Sequence, residues 1–316
     1  MTSHSIPSRS RASAAPALAI RAEGLTKRFG RRLAVDDASF DVPVGTVTGF
    51  VGPNGAGKTT TLRMLVGLTR PTSGGAEVLG HSVESPAAYL GRVGALIEGP
   101  AFYPGLSGWR NLEVLTTLGR FDPARIDVVL ELVDLADRAN DLFRTYSLGM
   151  KQRLGIAAAL LGEPEILILD EPTNGLDPAG IHDMRELVAR IAQSGLTVLI
   201  SSHLLAEVQS VCDWLVIIER GRLAYEGTIH ALLDQGSEGL IVATADPNEL
   251  EQVAALAAAA GYDAERDDGR LRIQAPSEFA GELNRVCHEH HIVLTEVTPV
   301  RVSLEQRFLE LTGDDR

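Results

Sequence analysis

A short glycine-rich stretch has the residue types and spacing of a phosphate-binding loop. Glycines allow the backbone to approach a phosphate closely, and the N–H groups where a helix begins point towards its negative charge. Lys58 is expected to reach the β- and γ-phosphates of a nucleotide, and the hydroxyl of Thr59 to hold Mg²⁺. The residues of this phosphate loop are Gly52, Pro53, Asn54, Gly55, Ala56, Gly57, Lys58, Thr59 and Thr60.

The elements on either side of the phosphate loop support this interpretation. The apolar residues from Val47 to Val51 predict a short buried strand, and Thr61 to Leu65 begin a helix with apolar positions at helical spacing. The alternative is a glycine-rich turn that contains a lysine by chance. Because strand, loop and helix follow in the order that the motif requires, the sequence favours a nucleotide site.

A pair of carboxylates follows another predicted strand. The run from Ile166 to Leu169 is apolar throughout, as expected of a parallel strand that is covered on both faces. Asp170 and Glu171 come directly after it, at the edge where open α/β sheets bind ligands. We expect Asp170 to enter the Mg²⁺ shell and Glu171 to orient or deprotonate an attacking water. A solvated acidic turn is the alternative, and the apolar strand before it argues against that alternative.

Several single residues allow both a functional and a structural interpretation. Phe29 lies in a basic turn, where it could stack on an adenine ring or join the local core. Ser147 precedes a helix, where a serine is usually an N-cap. His203 follows the apolar strand from Thr197 to Ile200 and could contact a γ-phosphate, although a single histidine is more often structural.

The composition limits the class of protein. The chain has 316 residues, 45% of them hydrophobic, which is enough for about two globular domains. The formal net charge is −13, so no overall attraction to nucleic acid or anionic lipid is expected. The two cysteines, Cys212 and Cys287, form no metal or disulfide pattern and suit a reducing cytoplasm. Gly, Pro, Ser, Gln or His interrupt the long uncharged runs, so no membrane span is predicted.

Changes in composition along the chain predict its domains. Residues 1–19 are rich in Ser, Pro and Ala and are expected to form a disordered tail rather than a signal peptide, since their apolar part is weak. Residues 20–235 are expected to form an α/β domain with a helical block at about 100–163. After a linker at 236–239, residues 240–316 predict a small α+β domain.

The predicted C-terminal domain carries two local patterns. In a helix expected from Glu278 to His291, Cys287 and His291 lie one turn apart and could ligate a metal, but no second ligand cluster accompanies them. Histidines near a helix C-terminus also interact favourably with the helix dipole, which is the structural alternative. The segment from Ser303 to Gln306 fits a capping box that opens a final amphipathic helix.

Taken together, these motifs resemble the ATP-binding cassette of ABC transporters over about Ile20 to Leu233. The resemblance implies an α/β fold of the P-loop NTPase type, with a RecA-like core sheet, an antiparallel β subdomain and a helical subdomain, followed here by the small α+β domain. It implies that the cofactors are ATP and Mg²⁺. Its site residues include Phe29 for adenine stacking, Ser147 and Gly149 of the signature motif, Asp177 of a loop that crosses to a partner, and the switch histidine His203.

The chain departs from the pattern of that family at two places. The signature, usually Leu-Ser-Gly-Gly-Gln, is Tyr146-Ser147-Leu148-Gly149-Met150 here, so one glycine is lost. Glu98 stands where the family usually has a Gln that contacts Mg²⁺ and the attacking water. Because a carboxylate also ligates a hard cation, the resemblance implies that Glu98 joins the Mg²⁺ site, with binding or coupling altered by its negative charge.

The resemblance implies an ATP hydrolase that powers an exporter. Two copies of the chain would pair head to tail on MgATP at the cytoplasmic face of the cell membrane, bound to separate membrane-spanning permease subunits, with no nucleic acid as a partner. The run from Gly94 to Pro104 resembles a loop of the bacitracin and lantibiotic self-protection exporters, which implies a drug, antibiotic or peptide as substrate. The alternatives are a soluble cassette protein that acts on ribosomes or nucleic acid, and a nucleotide-binding regulator without turnover.

Overall fold

The computed structural model describes residues 17–234, 239–300 and 303–313. The chain divides into two compact units. The first comprises residues 1–203 and 218–223, and the second comprises residues 204–217 and 224–316.

The predicted tail and linker fall mostly outside the described residues. The tail was expected to reach residue 19, but its end is wrong, because Leu18 already pairs with Pro43 in a strand. The last residue of the predicted linker, Gly239, likewise lies in a strand. The assignment of residues 20–235 and 240–316 to separate domains stays a prediction.

The described strands vary from short edge segments to long hairpin arms. They are β1 (Leu18–Phe29), β2 (Arg32–Pro43), β3 (Val47–Val51), β4 (Ser73–Val78), β5 (His81–Ser82), β6 (Val93–Leu96), β7 (Ile166–Asp170), β8 (Thr197–Ser202), β9 (Trp214–Glu219), β10 (Arg222–Thr228), β11 (Gly239–Thr244), β12 (Ala264–Asp267), β13 (Arg270–Ile273) and β14 (Leu294–Val300).

The described α-helices alternate with these strands. They are α1 (Lys58–Leu65), α2 (Gly108–Gly119), α3 (Arg125–Leu132), α4 (Leu148–Leu160), α5 (Pro178–Ala192), α6 (Leu205–Val211), α7 (Ile229–Asp234), α8 (Leu250–Ala259), α9 (Phe279–Glu289) and α10 (Leu304–Thr312).

The first unit contains an antiparallel sheet and a parallel one. The antiparallel sheet has the order β2-β1-β4-β5. In the other, β3, β8, β7 and β6 lie side by side in that order, and each pairs in parallel with its neighbour. Strands β9 and β10 contribute residues to both units, since the division passes through them.

The parallel sheet brings the chemical groups of the chain together. Strands β3 and β7 are buried at every residue, which accounts for their uninterrupted apolar sequences. The register aligns Val51 with Ser202, and Asp170 with Ser201. Because parallel strands end at the same edge, the segments that follow β3, β7 and β8 meet there.

The second unit contains a four-stranded sheet in the order β12-β13-β11-β14. Alternate residues of β11, Leu240 and Val242, are buried in its core. Cys287 of α9 is also buried in that core, and no group of three or more His, Cys, Asp or Glu within the described ranges is arranged to hold a metal ion. At the start of α10, the Ser303 hydroxyl accepts a hydrogen bond from the Gln306 N–H at 3.2 Å.

Several elements differ from the sequence-based expectation. The predicted turn at residues 27–30 is wrong, because β1 continues to Phe29 and pairs with a β2 that begins at Arg32. Register shifts interrupt this long hairpin, so its apolar residues do not alternate regularly along the sequence. Strand β12 and helix α7 were not predicted, since each is short and β12 is largely polar.

Candidate nucleotide-binding site

The phosphate loop connects β3 to α1, which begins at Lys58. Gly57 precedes that helix with φ of 109°, a left-handed conformation that favours glycine. A Cβ on Gly57 would lie 2.5 Å from the carbonyl oxygen of Ala34, which leaves no space for a side chain. Among the described residues, no side chain caps the start of α1. The N–H groups of its first turn are therefore suited to an anionic ligand.

The ammonium group of Lys58 lies within the phosphate loop. Its Nζ donates to the carbonyl oxygens of Gly52 (2.7 Å) and Pro53 (3.3 Å). It also forms an ion pair with Oε1 of Glu171 at 3.0 Å. The lysine side chain is only 6% exposed, and these partners offset the cost of holding a charge away from water.

Glu171 connects Lys58 to His203. One carboxylate oxygen contacts the lysine, and the other lies 2.7 Å from Nδ1 of the histidine. The backbone of Glu171 has φ of 47°, an unfavourable value for a residue with a side chain. The carboxylate thus lies between a cation and an imidazole at the carboxyl edge of the sheet, an arrangement that suits a general base.

Ser201 holds the two neighbouring carboxylate residues in place. Its hydroxyl donates to Oδ1 of Asp170 at 2.6 Å and accepts a hydrogen bond from the N–H of Glu171 at 2.9 Å. Ser201 is fully buried, and Asp170 is 8% exposed. The orientation of both acidic residues therefore depends on the neighbouring strand β8.

A cavity of about 350 Å³ opens beside the phosphate loop, a volume suited to a small organic ligand. The ring of Phe29 is 51% exposed, so the alternative that it belongs to the local core is wrong. The cavity joins this ring, the phosphate loop and Glu171 around one space. Its lining residues are Phe29, Arg32, Ala34, Asn54, Gly55, Gly57, Lys58, Thr59, Thr60 and Glu171.

The residues of the signature motif do not line this cavity. Ser147 is the N-cap of α4, and its hydroxyl accepts a hydrogen bond from the Met150 N–H at 3.2 Å. Asp177 is the N-cap of α5 and accepts from the Gly180 N–H at 2.9 Å. Ser147 and Asp177 are exposed, and Gly149 is half-buried. Both caps leave the ends of their side chains at the protein surface.

Tyr146, which precedes the signature serine, anchors this segment. Its hydroxyl donates to the carbonyl oxygen of Arg138 at 2.7 Å, and its ring packs against Phe143 at a centroid distance of 5.9 Å. Burial raises the pKa of Tyr146, with a further increase from Asp141 that Arg138 opposes. The phenol is therefore held neutral as a hydrogen-bond donor.

Glu98 does not line the cavity either. Its carboxylate forms an ion pair with Arg63 of α1, and its side chain is 63% exposed. Its backbone has φ of 65°, which is again unfavourable for a residue with a side chain. In this conformation, Glu98 is engaged by an arginine rather than directed to the phosphate loop.

The sequence analysis missed Arg32, Ala34 and Ser201. Arg32 and Ala34 line the cavity, and Ser201 contacts both carboxylate residues. Ser201 could have been found from its position directly after the apolar residues of β8, since neighbouring parallel strands end together. Arg32 could not, because the predicted turn at residues 27–30 left it outside any strand.

One comparison asked whether the described helices could enter a bilayer. Within the described ranges, no helix combines the length and apolarity that a membrane span requires.

Comparisons with known proteins identify relatives along most of the chain. Residues 35–174 match the family model described as ABC transporter. An uncharacterised ABC transporter ATP-binding protein of Bacillus subtilis (strain 168), YdbJ, is 40% identical over 92% of this chain and 94% of its own length. The bacitracin transport ATP-binding protein BcrA of Bacillus licheniformis is 40% identical over 93% and 97%. The daunorubicin resistance ATP-binding protein DrrA3 of Streptomyces coeruleorubidus is 38% identical over 94% and 97%.

The fold also has counterparts among solved structures. A structure titled as the ATP binding subunit of an ABC transporter is similar, with a TM-score of 0.61 and 29% identity. The match covers 69% of this chain and 93% of that protein. The predicted P-loop NTPase cassette fold is thereby confirmed.

Proposed function

This chain is an ATPase of the ABC transporter family, and we propose that two copies of it power an exporter by closing on MgATP. The observation that carries the proposal is the position of Glu171, whose carboxylate contacts both Lys58 and His203 beside the phosphate loop. A binding module without turnover has no need for a carboxylate held at this point.

In the proposed reaction, each group around the cavity has a distinct task. The exposed ring of Phe29 stacks on adenine, and the loop amides with Lys58 bind the β- and γ-phosphates. Glu171 exchanges its contact with Lys58 for an attacking water, orients that water and accepts its proton. His203 contacts the γ-phosphate and keeps the carboxylate of Glu171 in place. Electrostatic stabilisation by Lys58 and the amides favours the developing charge of the transition state.

The oxygen donors at the site fit magnesium. Thr59 offers a hydroxyl from the cavity wall, and the buried carboxylate of Asp170 is oriented by Ser201. Hydroxyl and carboxylate oxygens are suited to a hard cation such as Mg²⁺, which neutralises phosphate charge when bound. We assign Thr59 and Asp170 to the ion, with Glu98 as a further ligand once it is released from Arg63.

The proposed second copy accounts for residues that face away from the cavity. Ser147, Gly149 and Asp177 lie at exposed or half-buried positions on the starts of α4 and α5, and none of them lines the cavity of their own chain. A head-to-tail partner would bring its phosphate loop to this surface. Each ATP would then be held between two copies, which explains why closure requires it.

A second cavity, of about 460 Å³, provides a site for a membrane-spanning permease subunit. It lies between the loop that follows β6 and the helical block, and its wall is largely apolar. Among its lining residues are Ile97, Pro100, Phe102, Leu115 and Phe121. An apolar helix end of a permease would bury this surface and place the chain at the cytoplasmic face of the membrane.

The names of the relatives suggest the substrate class. One is a bacitracin transport protein and another a daunorubicin resistance protein, and both match nearly the whole of this chain. We therefore propose a drug, an antibiotic or a peptide as the exported molecule. Residues 20–235 would act as the ATP-driven part, and residues 240–316 as an accessory domain.

The decisive test is the Glu171→Gln variant. Because the amide keeps its size but cannot accept the proton, ATP hydrolysis should fall at least a hundredfold while ATP affinity stays close to that of the wild type. Turnover can be measured as phosphate release, and affinity by calorimetry. The comparison variant Lys58→Ala should lose affinity itself. Wild-type turnover of Glu171→Gln would exclude this carboxylate as the base.

A further inference from the structure

Arg32 lies directly across the β1–β2 hairpin from Phe29. The hairpin turns through Gly30, whose φ of 56° lies in the left-handed region that glycine adopts readily. Residues that oppose each other in an antiparallel pair point to the same face of the sheet. Phe29 and Arg32 therefore share one face, whereas Arg31 belongs to the turn between them.

The side chain of Arg32 extends from this face to the phosphate loop. Both Arg32 and Phe29 line the cavity of about 350 Å³, together with Asn54 and Gly55. The Nη2 atom of Arg32 lies 3.9 Å from the point where a Cβ on Gly55 would stand. The guanidinium group thus occupies the space between the exposed aromatic ring and the glycines of the loop.

Arg32 has no counter-charge at this position. In the part of the chain that the structure describes, its side chain makes no hydrogen bond and no ion pair. The other basic groups of the hairpin region differ in this respect. Lys27, for example, donates to the carbonyl oxygen of Arg70 at 2.7 Å and lies 5.0 Å from the centroid of the Phe29 ring. A cation that faces an anion-binding loop without a partner is suited to an anionic ligand.

We propose that Arg32 binds the α-phosphate of the nucleotide. The proposal rests on the proposed function, in which adenine stacks on Phe29 and the β- and γ-phosphates lie on the loop around Lys58. The α-phosphate then falls between these two sites, where the guanidinium is. Its planar set of donors matches phosphate oxygens and forms charge-assisted hydrogen bonds with them. Arg32 would thereby select nucleoside diphosphates and triphosphates over nucleosides.

The test compares nucleotide affinity of full-length variants by calorimetry. Arg32→Ala should weaken ADP and a non-hydrolysable ATP analogue by the same factor, about three- to tenfold, because both carry the α-phosphate and an exposed ionic contact is modest. Arg32→Lys should recover part of the loss. Arg31→Ala is the matched control: it removes an exposed arginine at the adjacent position that does not line the cavity, and it should leave affinity unchanged.

Other outcomes would overturn the assignment. If Arg32→Ala binds both nucleotides as Arg31→Ala does, Arg32 makes no useful contact. If the loss is confined to the ATP analogue, Arg32 contacts the γ-phosphate instead. Lys58→Ala separates this inference from the proposed function, since retained affinity in that variant would place the nucleotide elsewhere altogether. Circular dichroism of each variant checks that it is folded.

Discussion

Glu171 occupies a backbone conformation that costs free energy. Its φ of 47° is left-handed, and residues other than glycine adopt that region at a cost on the order of 1 kcal/mol. The strain persists because the N–H of Glu171 is bound by Ser201, while both carboxylate oxygens have partners. This geometry turns the chain sharply after β7, so that Asp170 and Glu171 present their carboxylates to different neighbours.

At the residue scale, we predict that Ser201→Ala slows hydrolysis about tenfold. The variant leaves the N–H of Glu171 and one oxygen of Asp170 without this hydroxyl, and stability should fall by about 1–3 kcal/mol. Phosphate release and urea unfolding measure the two effects. Ser39→Ala is the control, since it also removes a hydroxyl that accepts from a backbone N–H, that of Gly24 in the antiparallel sheet. Equal turnover of the two variants would contradict the proposed role of Ser201.

At the scale of elements, helices α4 and α5 are linked at two points. Near their starts, a methyl group of Leu148 lies 3.1 Å from the point where a Cβ on Gly175 would stand. Further along, Arg153 of α4 forms an ion pair of 2.5 Å with Asp183 of α5. Leu148 replaces a glycine of the usual signature, so this chain has an additional apolar contact there. The signature segment and the segment before α5 are therefore expected to move together.

A double-mutant cycle of Arg153→Ala and Asp183→Ala tests this linkage. The arginine is 19% and the aspartate 50% exposed, so their coupling free energy should be about 0.5–1 kcal/mol, as for a partly exposed pair. Urea unfolding of the two single variants and the double variant gives the value. The pair Arg110 and Glu113, both on α2 and more exposed, should show less coupling. A coupling of zero for Arg153 and Asp183 would show that the ion pair does not join the helices.

At the scale of the whole molecule, the chain needs a partner to act on a membrane. Its described helices are not of the kind that span a bilayer, and the largely apolar cavity beside the helical block offers a contact surface. The cavity wall includes Leu115 on α2, whereas Leu118 of the same helix is 77% exposed and does not line it. These two leucines allow the surface to be tested without changing the nucleotide site.

We predict that Leu115→Arg abolishes co-purification with a membrane-spanning subunit, while Leu118→Arg preserves it. A charged side chain in the apolar cavity opposes burial of a partner there, and ATP affinity should be unaffected in both variants. Tagged chains can be isolated from membranes of the native host and their partners identified by mass spectrometry. Recovery of ribosomes or nucleic acid with the unmodified chain would instead support the soluble cassette alternative. Equal recovery of the permease with both variants would move the docking surface elsewhere.

The sequence by itself determined the family, the cassette fold and most of the elements. Strand, phosphate loop and helix were evident because the glycines, Lys58 and Thr59 follow each other within one short segment. The buried strand before Asp170 was equally clear, since its side chains are covered on both faces and leave an unbroken apolar run. Such signals are local, so neighbouring residues along the chain suffice to reveal them.

Only the tertiary structure decided which side chains meet. It joined Glu171 to Lys58 and His203, placed Ser201 under both carboxylates and paired Glu98 with Arg63. Each contact crosses from one element to another, and its partners are far apart in sequence. Arg32 entered the site for the same reason: an irregular hairpin register, invisible in the local pattern, placed it beside Phe29. Distances between side chains depend on how strands pair and end together, which spacing along the chain does not specify.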